Sequence, residues 1–145
     1  AYAKALELKD SRGYTFIHPF DDVDVIAGQG TIGLEILDQL PDVDIVLVPV
    51  GGGGLISGLA FAIKSLRPEV KVYGVQASGA PSMFNSIRDK HIESLTGVST
   101  IADGIAVKTP GEHTFGYVSK YVTASSPSAR TRYARLYSPL SRSTR

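Results

Sequence analysis

Hydrophobic and polar positions along the chain follow two different periods. Residues 44–50 (DIVLVPV) form a near-continuous β-branched run, which is typical of a strand buried on both faces of a parallel sheet. Residues 70–76 (VKVYGVQ) predict a second strand. A short strand is expected over residues 14–17, and another is expected to start over residues 121–123.

Helices are predicted between these strands, from strong helix formers or from apolar residues at helical spacing. The predicted helices cover residues 1–9, 31–40, 55–66, 81–88 and 110–120. Strands and helices thus alternate, with short connections and no hairpin signals. This order predicts an α/β fold with a parallel sheet and helices on both faces.

Composition narrows the class of protein and divides the chain in two. There is no cysteine among the 145 residues, which excludes a disulfide framework, a zinc ribbon and a thiol nucleophile. No apolar run approaches the roughly 20 residues that a membrane helix needs. Residues 1–123 hold ten basic and fourteen acidic residues, a net charge of −4, whereas residues 124–145 hold five arginines and no acid.

The basic segment 124–145 is rich in Ser and Pro and has no clear amphipathic period. Such a segment can be an arm that binds nucleic acid or a membrane surface. The alternative, a tail without a selected function, is favoured because no lysine joins the arginines and no nucleic-acid-binding module is recognisable. We therefore expect neither nucleic acid nor a membrane as a partner.

Four consecutive glycines, Gly51–Gly54, follow the first predicted strand directly and precede a helix that starts at Leu55. A loop in this position lies at the carboxyl edge of a parallel sheet, where open α/β folds bind ligands. Glycine backbone and a helix N-terminus together present N–H groups to an anion, so a phosphate is the expected ligand.

Other phosphate loops differ from this one in spacing. No Lys-Ser or Lys-Thr follows the glycines, which argues against a nucleoside-triphosphate loop. Because the pattern is not Gly-x-Gly-x-x-Gly and no acidic residue ends the second strand, a dinucleotide site is disfavoured. A tight turn that needs glycine for close backbone packing, without any ligand, stays as the alternative.

Four ordered segments of the sequence carry a family resemblance. They are HPFDDVDVIAGQGTIGLEIL (18–37), VGGGGLISG (50–58), GVQASGAPSM (74–83) and TIADGIAVKTPGEHTF (100–115). Together they resemble the threonine dehydratases (threonine ammonia-lyases), within the fold-type II pyridoxal-phosphate enzymes that share the tryptophan synthase β-like fold.

This resemblance implies a pyridoxal 5′-phosphate enzyme that converts L-threonine to 2-oxobutanoate and ammonia. The role of the family's glycine loop, holding the cofactor phosphate by backbone N–H groups, maps onto Gly51, Gly52, Gly53 and Gly54, with Leu55 adjoining. A serine racemase-like enzyme and a phosphate-binding module without catalysis are the alternatives.

Further motif residues have both structural and functional interpretations. Thr31 is expected to be a helix N-cap, and His18 a hydrogen-bonded structural imidazole rather than a catalytic base. For Asp103, a role near the cofactor ring and local capping of backbone N–H groups are equally supported interpretations. Gln76 and Ser82 stand where racemase-like members have carboxylates, so we expect no metal site. The isolated histidines are expected to face solvent: His91 and His113.

The family's Schiff-base lysine lies in a Ser-x-Lys-x-Arg-Gly type motif that these 145 residues lack. Lys4 and Lys9 do not have that context, so no catalytic residue is assigned within the chain. We expect residues 1–123 to be part of a catalytic domain, inactive alone, and residues 124–145 to be foreign to the family. The parent is expected to be a cytoplasmic homo-oligomer of amino-acid metabolism, in isoleucine biosynthesis.

Overall fold

The computed structural model describes residues 2–123 of the chain. Five helices, two strands and one 3-10 turn (Asp103–Ile105) follow one another along these residues. In order they are α1 (Tyr2–Arg12), α2 (Val23–Gln39), β1 (Ile45–Pro49), α3 (Gly54–Leu66), β2 (Lys71–Val75), α4 (Ser82–Asp89) and α5 (Glu112–Tyr121).

The two strands form a parallel pair, with α3 as the connection between them. The register runs from Ile45 opposite Lys71 to Pro49 opposite Val75. Val48 is 2% exposed, but Leu47, which points to the other face, is 63% exposed. The prediction that β1 is buried on both faces is wrong for this structure, because no layer among the described residues covers the face that contains Leu47.

One hydrophobic core lies between the covered face of the sheet and helices α3 and α5. Ile36 and Leu37 of α2 and Ile87 of α4 pack against its margin. The buried core residues are Val43, Val48, Val50, Ile56, Leu59, Ala60, Ile63, Val70, Val72, Met83, Val118 and Val122.

Helices α2 and α3 cross at very short distance because glycines face each other. A Cβ on Gly58 would lie 2.0 Å from the carbonyl oxygen of Ile26, and one on Gly33 would lie 3.0 Å from that of Leu59. A Cβ on Gly30 would lie 3.3 Å from the carbonyl oxygen of Gly58. Gly30 and Gly33 therefore permit close packing on α3 and do not interrupt the helix.

Helix α2 begins eight residues before the predicted start. Asp22 is its N-cap, and its carboxylate accepts the N–H groups of Asp24 at 2.9 Å and Val25 at 3.2 Å. The prediction that Thr31 caps the helix is wrong: Thr31 lies inside α2, where its hydroxyl donates to the carbonyl oxygen of Gly28 at 2.9 Å.

Neither of the two short predicted strands is present as such. Residues 14–17 have no assigned secondary structure, since no described strand lies beside them. Tyr121 still belongs to α5, but Thr123 joins the edge of β2. Its N–H donates to the carbonyl oxygen of Val72 at 2.9 Å, and its hydroxyl accepts the N–H of Val72 at 3.0 Å. The first bonds to β2 are thus made two residues after the predicted start, and no strand is assigned over residues 121–123.

Candidate functional site

The glycine loop, defined here as Gly51–Gly54, connects β1 to α3 at the carboxyl edge of the sheet. The N–H of Val50 still bonds to the carbonyl oxygen of Val75, at 2.8 Å, and the N–H of Ser57 bonds to that of Gly53, at 3.0 Å. Between them, the N–H groups of residues 51–56 meet no acceptor within residues 2–123, and α3 has no side-chain cap. This series of unpaired donors is the loop's main chemical property.

Close packing explains why three of these positions must be glycine. A Cβ on Gly52 would lie 2.5 Å from the ring of Phe20, and one on Gly54 would lie 3.0 Å from the backbone of Phe20. Gly53 has φ +100°, and a Cβ there would lie 2.6 Å from Cε of Met83. Packing alone therefore requires glycine here, but it does not supply acceptors for the unpaired N–H groups of the loop and of the first turn of α3.

The segment His18–Asp22 packs against the glycine loop. The Nδ1 atom of His18 accepts the N–H of Asp21 at 2.9 Å, which agrees with the predicted structural role of this imidazole. Phe20 covers Gly52 and Gly54, as described above, and Asp22 caps α2. Consecutive residues of one turn thereby position both the glycine loop and the helix that packs on α3.

Asp21 caps the N-terminus of α5 although it lies about ninety residues earlier in the chain. Its carboxylate accepts the N–H groups of Glu112 at 2.9 Å and Thr114 at 3.1 Å. Gly111 allows this approach, because a Cβ there would lie 2.1 Å from Oδ1 of Asp21. A carboxylate at a helix N-terminus is favourable both as a hydrogen-bond acceptor and as a negative charge.

Thr114 is the residue at this site that sequence reasoning missed. Its side chain is fully buried, and its hydroxyl donates to the carbonyl oxygen of Gly52 at 2.7 Å. The threonine stands in the TPGEHTF part of the 100–115 segment, but a hydroxyl at helix position three predicts only a local cap. Its contact with a loop 62 residues away is visible only in the tertiary structure.

The loop around Asp103 lies against the first glycine. A Cβ on Gly51 would lie 3.1 Å from Cγ2 of Val107 and 3.2 Å from Cα of Ile105. The carboxylate of Asp103 is exposed and accepts the N–H of Gly104 at 2.9 Å, so its observed bond is the local one.

The two positions considered for a metal are occupied by neutral, bonded oxygens. Oε1 of Gln76 accepts the N–H of Phe84 at 3.0 Å, and Oγ of Ser82 donates to the carbonyl oxygen of Val107 at 2.8 Å. The buried Nε2 atom of Gln76 has no hydrogen-bond partner among the described residues. Residues 2–123 contain no group of three or more His, Asp or Glu side chains that could hold a metal ion.

The remaining candidate side chains lie outside the glycine loop and its contacts. His91 and His113 are exposed, as predicted. Lys4 is on α1, where its ammonium group pairs with Glu7 at 2.5 Å, and Lys9 is exposed on the same helix. Neither lysine is among the nearest neighbours of a Cβ placed on any of the four loop glycines.

The sequence matches the family described as Pyridoxal-phosphate dependent enzyme over residues 1–138. The chain belongs to this family. It is 60% identical over 122 residues to an L-threonine ammonia-lyase of Thermotoga maritima, covering 84% of this chain and 30% of that relative. With an L-threonine ammonia-lyase of Geobacter sulfurreducens the identity is 51% over 122 residues, with the same coverage of 84% and 30%.

Solved structures of this pyridoxal-phosphate family have the same fold. Threonine deaminase isoform 2 of Solanum lycopersicum is 47% identical with a TM-score of 0.82, covering 84% of this chain and 34% of that one. Maize serine racemase is 34% identical with a TM-score of 0.81, and the match covers 84% of this chain and 38% of the racemase chain. The predicted α/β class with a parallel sheet is confirmed, as is the family resemblance.

The family's cofactor is pyridoxal 5′-phosphate. The unpaired N–H groups of the loop and of the first turn of α3 are donors of the kind that its phosphate would need. Unpaired N–H groups at a helix N-terminus bind oxyanions through hydrogen bonds and through the positive end of the helix dipole. The chain spans about 30% of the length of the curated relatives that it matches. No helix within residues 2–123 combines the length and the apolar character needed to cross a membrane.

Proposed function

We propose that this chain is a segment of a pyridoxal-phosphate dependent L-threonine ammonia-lyase, an enzyme that forms 2-oxobutanoate and ammonia. In this proposal the backbone N–H groups of Gly51, Gly52, Gly53 and Gly54, with Leu55 adjoining, hold the phosphate of the cofactor. The observation that carries the proposal is the series of unpaired N–H groups in front of α3. The similarity to L-threonine ammonia-lyases supplies the reaction.

When bound, pyridoxal phosphate supplies an electron sink for the charge left when an amino acid loses its α-proton. The described residues contribute binding and orientation. The glycine loop binds an anion, and α3 adds its dipole. Phe20 packs over the loop and keeps its backbone in one conformation, since the glycines have no Cβ to resist movement.

Threonine ammonia-lyase is favoured over a serine racemase because sequence identity is 60% with the Thermotoga maritima lyase and 34% with maize serine racemase. The neutral Gln76 and Ser82 also give a divalent cation no charged ligand. A phosphate-binding module without catalysis has no comparable support, since the relatives named above are enzymes.

No residue of this chain is assigned to catalysis or to a metal. Because the Schiff-base lysine motif does not occur in the 145 residues, we expect them to be inactive alone. Residues 1–123 would form part of the catalytic domain. The segment 124–145 lies outside the described residues. The family match extends into it, to residue 138, so its foreign origin stays a prediction that resequencing of the source DNA tests. An uninterrupted native reading frame across it would contradict that prediction.

The cellular setting is proposed from the relatives. Among them are a biosynthetic L-threonine dehydratase of Burkholderia multivorans and catabolic ones of Staphylococcus aureus. We infer the biosynthetic role, in isoleucine formation, in a cytoplasmic homo-oligomeric parent that takes an amino acid as substrate. A parent whose loss causes no isoleucine requirement would contradict this assignment.

Binding of the cofactor phosphate is tested directly with the 145-residue chain. Pyridoxamine 5′-phosphate is the probe, since its amine does not form Schiff bases with surface lysines such as Lys4 and Lys9. We expect the amide resonances of residues 51–55 to shift with this probe and not with pyridoxamine, which lacks the phosphate. Equal responses to both probes would refute the proposed phosphate site. In the parent protein, threonine-dependent release of 2-oxobutanoate tests the reaction.

A further inference from the structure

Thr114 lies in the first turn of α5 and packs directly against the glycine loop. A Cβ on Gly53 would lie 2.8 Å from Cβ of Thr114, and the threonine side chain is fully buried. Its neighbours in the turn, Glu112 and His113, are exposed. Thr114 is therefore the residue by which this helix contacts the loop backbone.

The hydroxyl of Thr114 uses its donor and an acceptor within the protein. It donates to the carbonyl oxygen of Gly52 at 2.7 Å, with the carbonyl oxygen of Gly111 at 3.2 Å as a second acceptor. It accepts the N–H of Gly111 at 3.1 Å. A hydroxyl has only one hydrogen to donate, so the shorter contact, to Gly52, is the main one.

This bond determines the direction of a loop N–H group. The peptide between Gly52 and Gly53 is trans, as are all peptide bonds of the described residues. In a trans peptide the N–H points opposite to the C=O. Since Thr114 holds the carbonyl oxygen of Gly52 on its own side, the N–H of Gly53 points away from α5. Gly53 has φ +100° and few conformational constraints of its own, so an external contact has to select this orientation.

Thr114 is itself held by groups from two other segments. Asp21 accepts its N–H at 3.1 Å, and the hydroxyl of Ser57 in α3 donates to its carbonyl oxygen at 3.4 Å. These contacts limit the freedom of its main chain on both sides of the side chain. The position of the hydroxyl is thus determined by the tertiary structure.

We propose that Thr114 is a positioning residue for the anion site: its hydroxyl orients the Gly52–Gly53 peptide so that the N–H of Gly53 is available to a phosphate. This inference rests on the proposed function of the glycine loop. Thr114 does not contact the anion; it acts through the backbone of Gly52. The energetic benefit comes from preorganisation, since the peptide does not have to be ordered when the anion binds.

The test compares Thr114→Val, which removes the hydroxyl and keeps the shape, with Thr114→Ser, which keeps the hydroxyl. Thr31→Val is the matched control, because the Thr31 hydroxyl bonds only within α2. Two quantities are measured on folded 145-residue chains. One is the NMR order parameter of the Gly53 N–H without ligand, and the other is the dissociation constant for pyridoxamine 5′-phosphate.

For Thr114→Val we expect a lower order parameter at Gly53 and up to about tenfold weaker binding, because ordering the released peptide on binding costs at most the free energy of one neutral hydrogen bond. Thr114→Ser and Thr31→Val are expected to stay near the unmodified chain in both quantities. If Thr114→Val does not fold, Thr114→Ser and Thr114→Ala repeat the comparison, since they also differ by the hydroxyl. An unchanged order parameter and unchanged affinity in the hydroxyl-free variant would overturn the proposal.

Failure of the phosphate site itself gives a different pattern. In that case the unmodified chain has an ordered Gly53 N–H but shows no phosphate-dependent shift at residues 51–55. A lower order parameter in Thr114→Val would still support the effect of the hydroxyl on the peptide, while the anion site would be rejected. A lower order parameter with unchanged affinity supports the phosphate site and overturns the positioning role.

Discussion

The crossing of α2 and α3 makes a sharp prediction about Gly58. In Gly58→Ala the new Cβ would lie 2.0 Å from the carbonyl oxygen of Ile26 and 2.7 Å from the amide nitrogen of Gly30. Both contacts are with backbone atoms, so no side-chain rotation relieves them. The two helices have to separate by about 1 Å or more to restore ordinary van der Waals distances.

Two opposing effects determine how much Gly58→Ala changes the free energy of unfolding. Forcing extra volume into a packed interface costs about 1–3 kcal/mol, and the backbone clash at Gly58 belongs at the upper end of that range. Alanine is about 1 kcal/mol better than glycine within a helix, which offsets part of the cost. We therefore expect Gly58→Ala to lower the free energy of unfolding by about 2 kcal/mol.

Gly28→Ala is the matched control, because a Cβ on Gly28 of α2 would meet nothing within 4 Å. This variant is expected to raise the free energy of unfolding by about 0.5–1 kcal/mol, since it gains helix propensity without a clash. Urea unfolding of the 145-residue chain, followed by circular dichroism at 222 nm (the usual helix band), measures both variants. A Gly58→Ala chain as stable as Gly28→Ala would refute the close packing of these helices.

Three further predictions concern the neighbourhood of the site and the surface. Gly111→Ala would place a Cβ 2.1 Å from Oδ1 of Asp21 and displace the cap of α5. We expect this variant to lower the free energy of unfolding in urea by about 1–2 kcal/mol. Gly116→Ala, where a Cβ would meet nothing within 4 Å, should not destabilise the chain. The hydrogen bond and charge of Arg67 lower the pKa of the Glu69 carboxyl. The stabilising contribution of this pair is therefore present above the ordinary glutamate pKa and is lost as the pH falls through the lowered value. It should be small because both groups are exposed. Glu69→Gln should remove this part of the acid dependence of the melting temperature, and an unchanged pH profile would contradict the prediction. Pyridoxamine 5′-phosphate at ten times its dissociation constant should stabilise the unmodified chain by about 1.4 kcal/mol, and an unchanged melting temperature would contradict binding to the folded state.

Local patterns were sufficient to predict most elements of the fold. The β-branched run before the glycines predicted β1, and the apolar spacing after them predicted α3 to within one residue at its start. The failures have a common cause. The start of α2 was missed because Thr31 was expected to be its N-cap, whereas Asp22 caps the helix and Gly30 inside it packs against α3. A local pattern does not show which glycines face another helix.

The features of the candidate site are likewise of two kinds: those that a local pattern predicts and those that only the tertiary structure shows. The sequence alone determined that a glycine loop lies between a strand and a helix, because that order is written in consecutive residues. Only the tertiary structure decided what holds this loop: Phe20 over Gly52, the hydroxyl of Thr114 on the Gly52 carbonyl, and Asp21 at the start of α5. These partners are dozens of residues apart, and hydrogen bonds across such separations depend on how helices pack. The apolar period of a helix shows that it packs, but not which distant residue it meets.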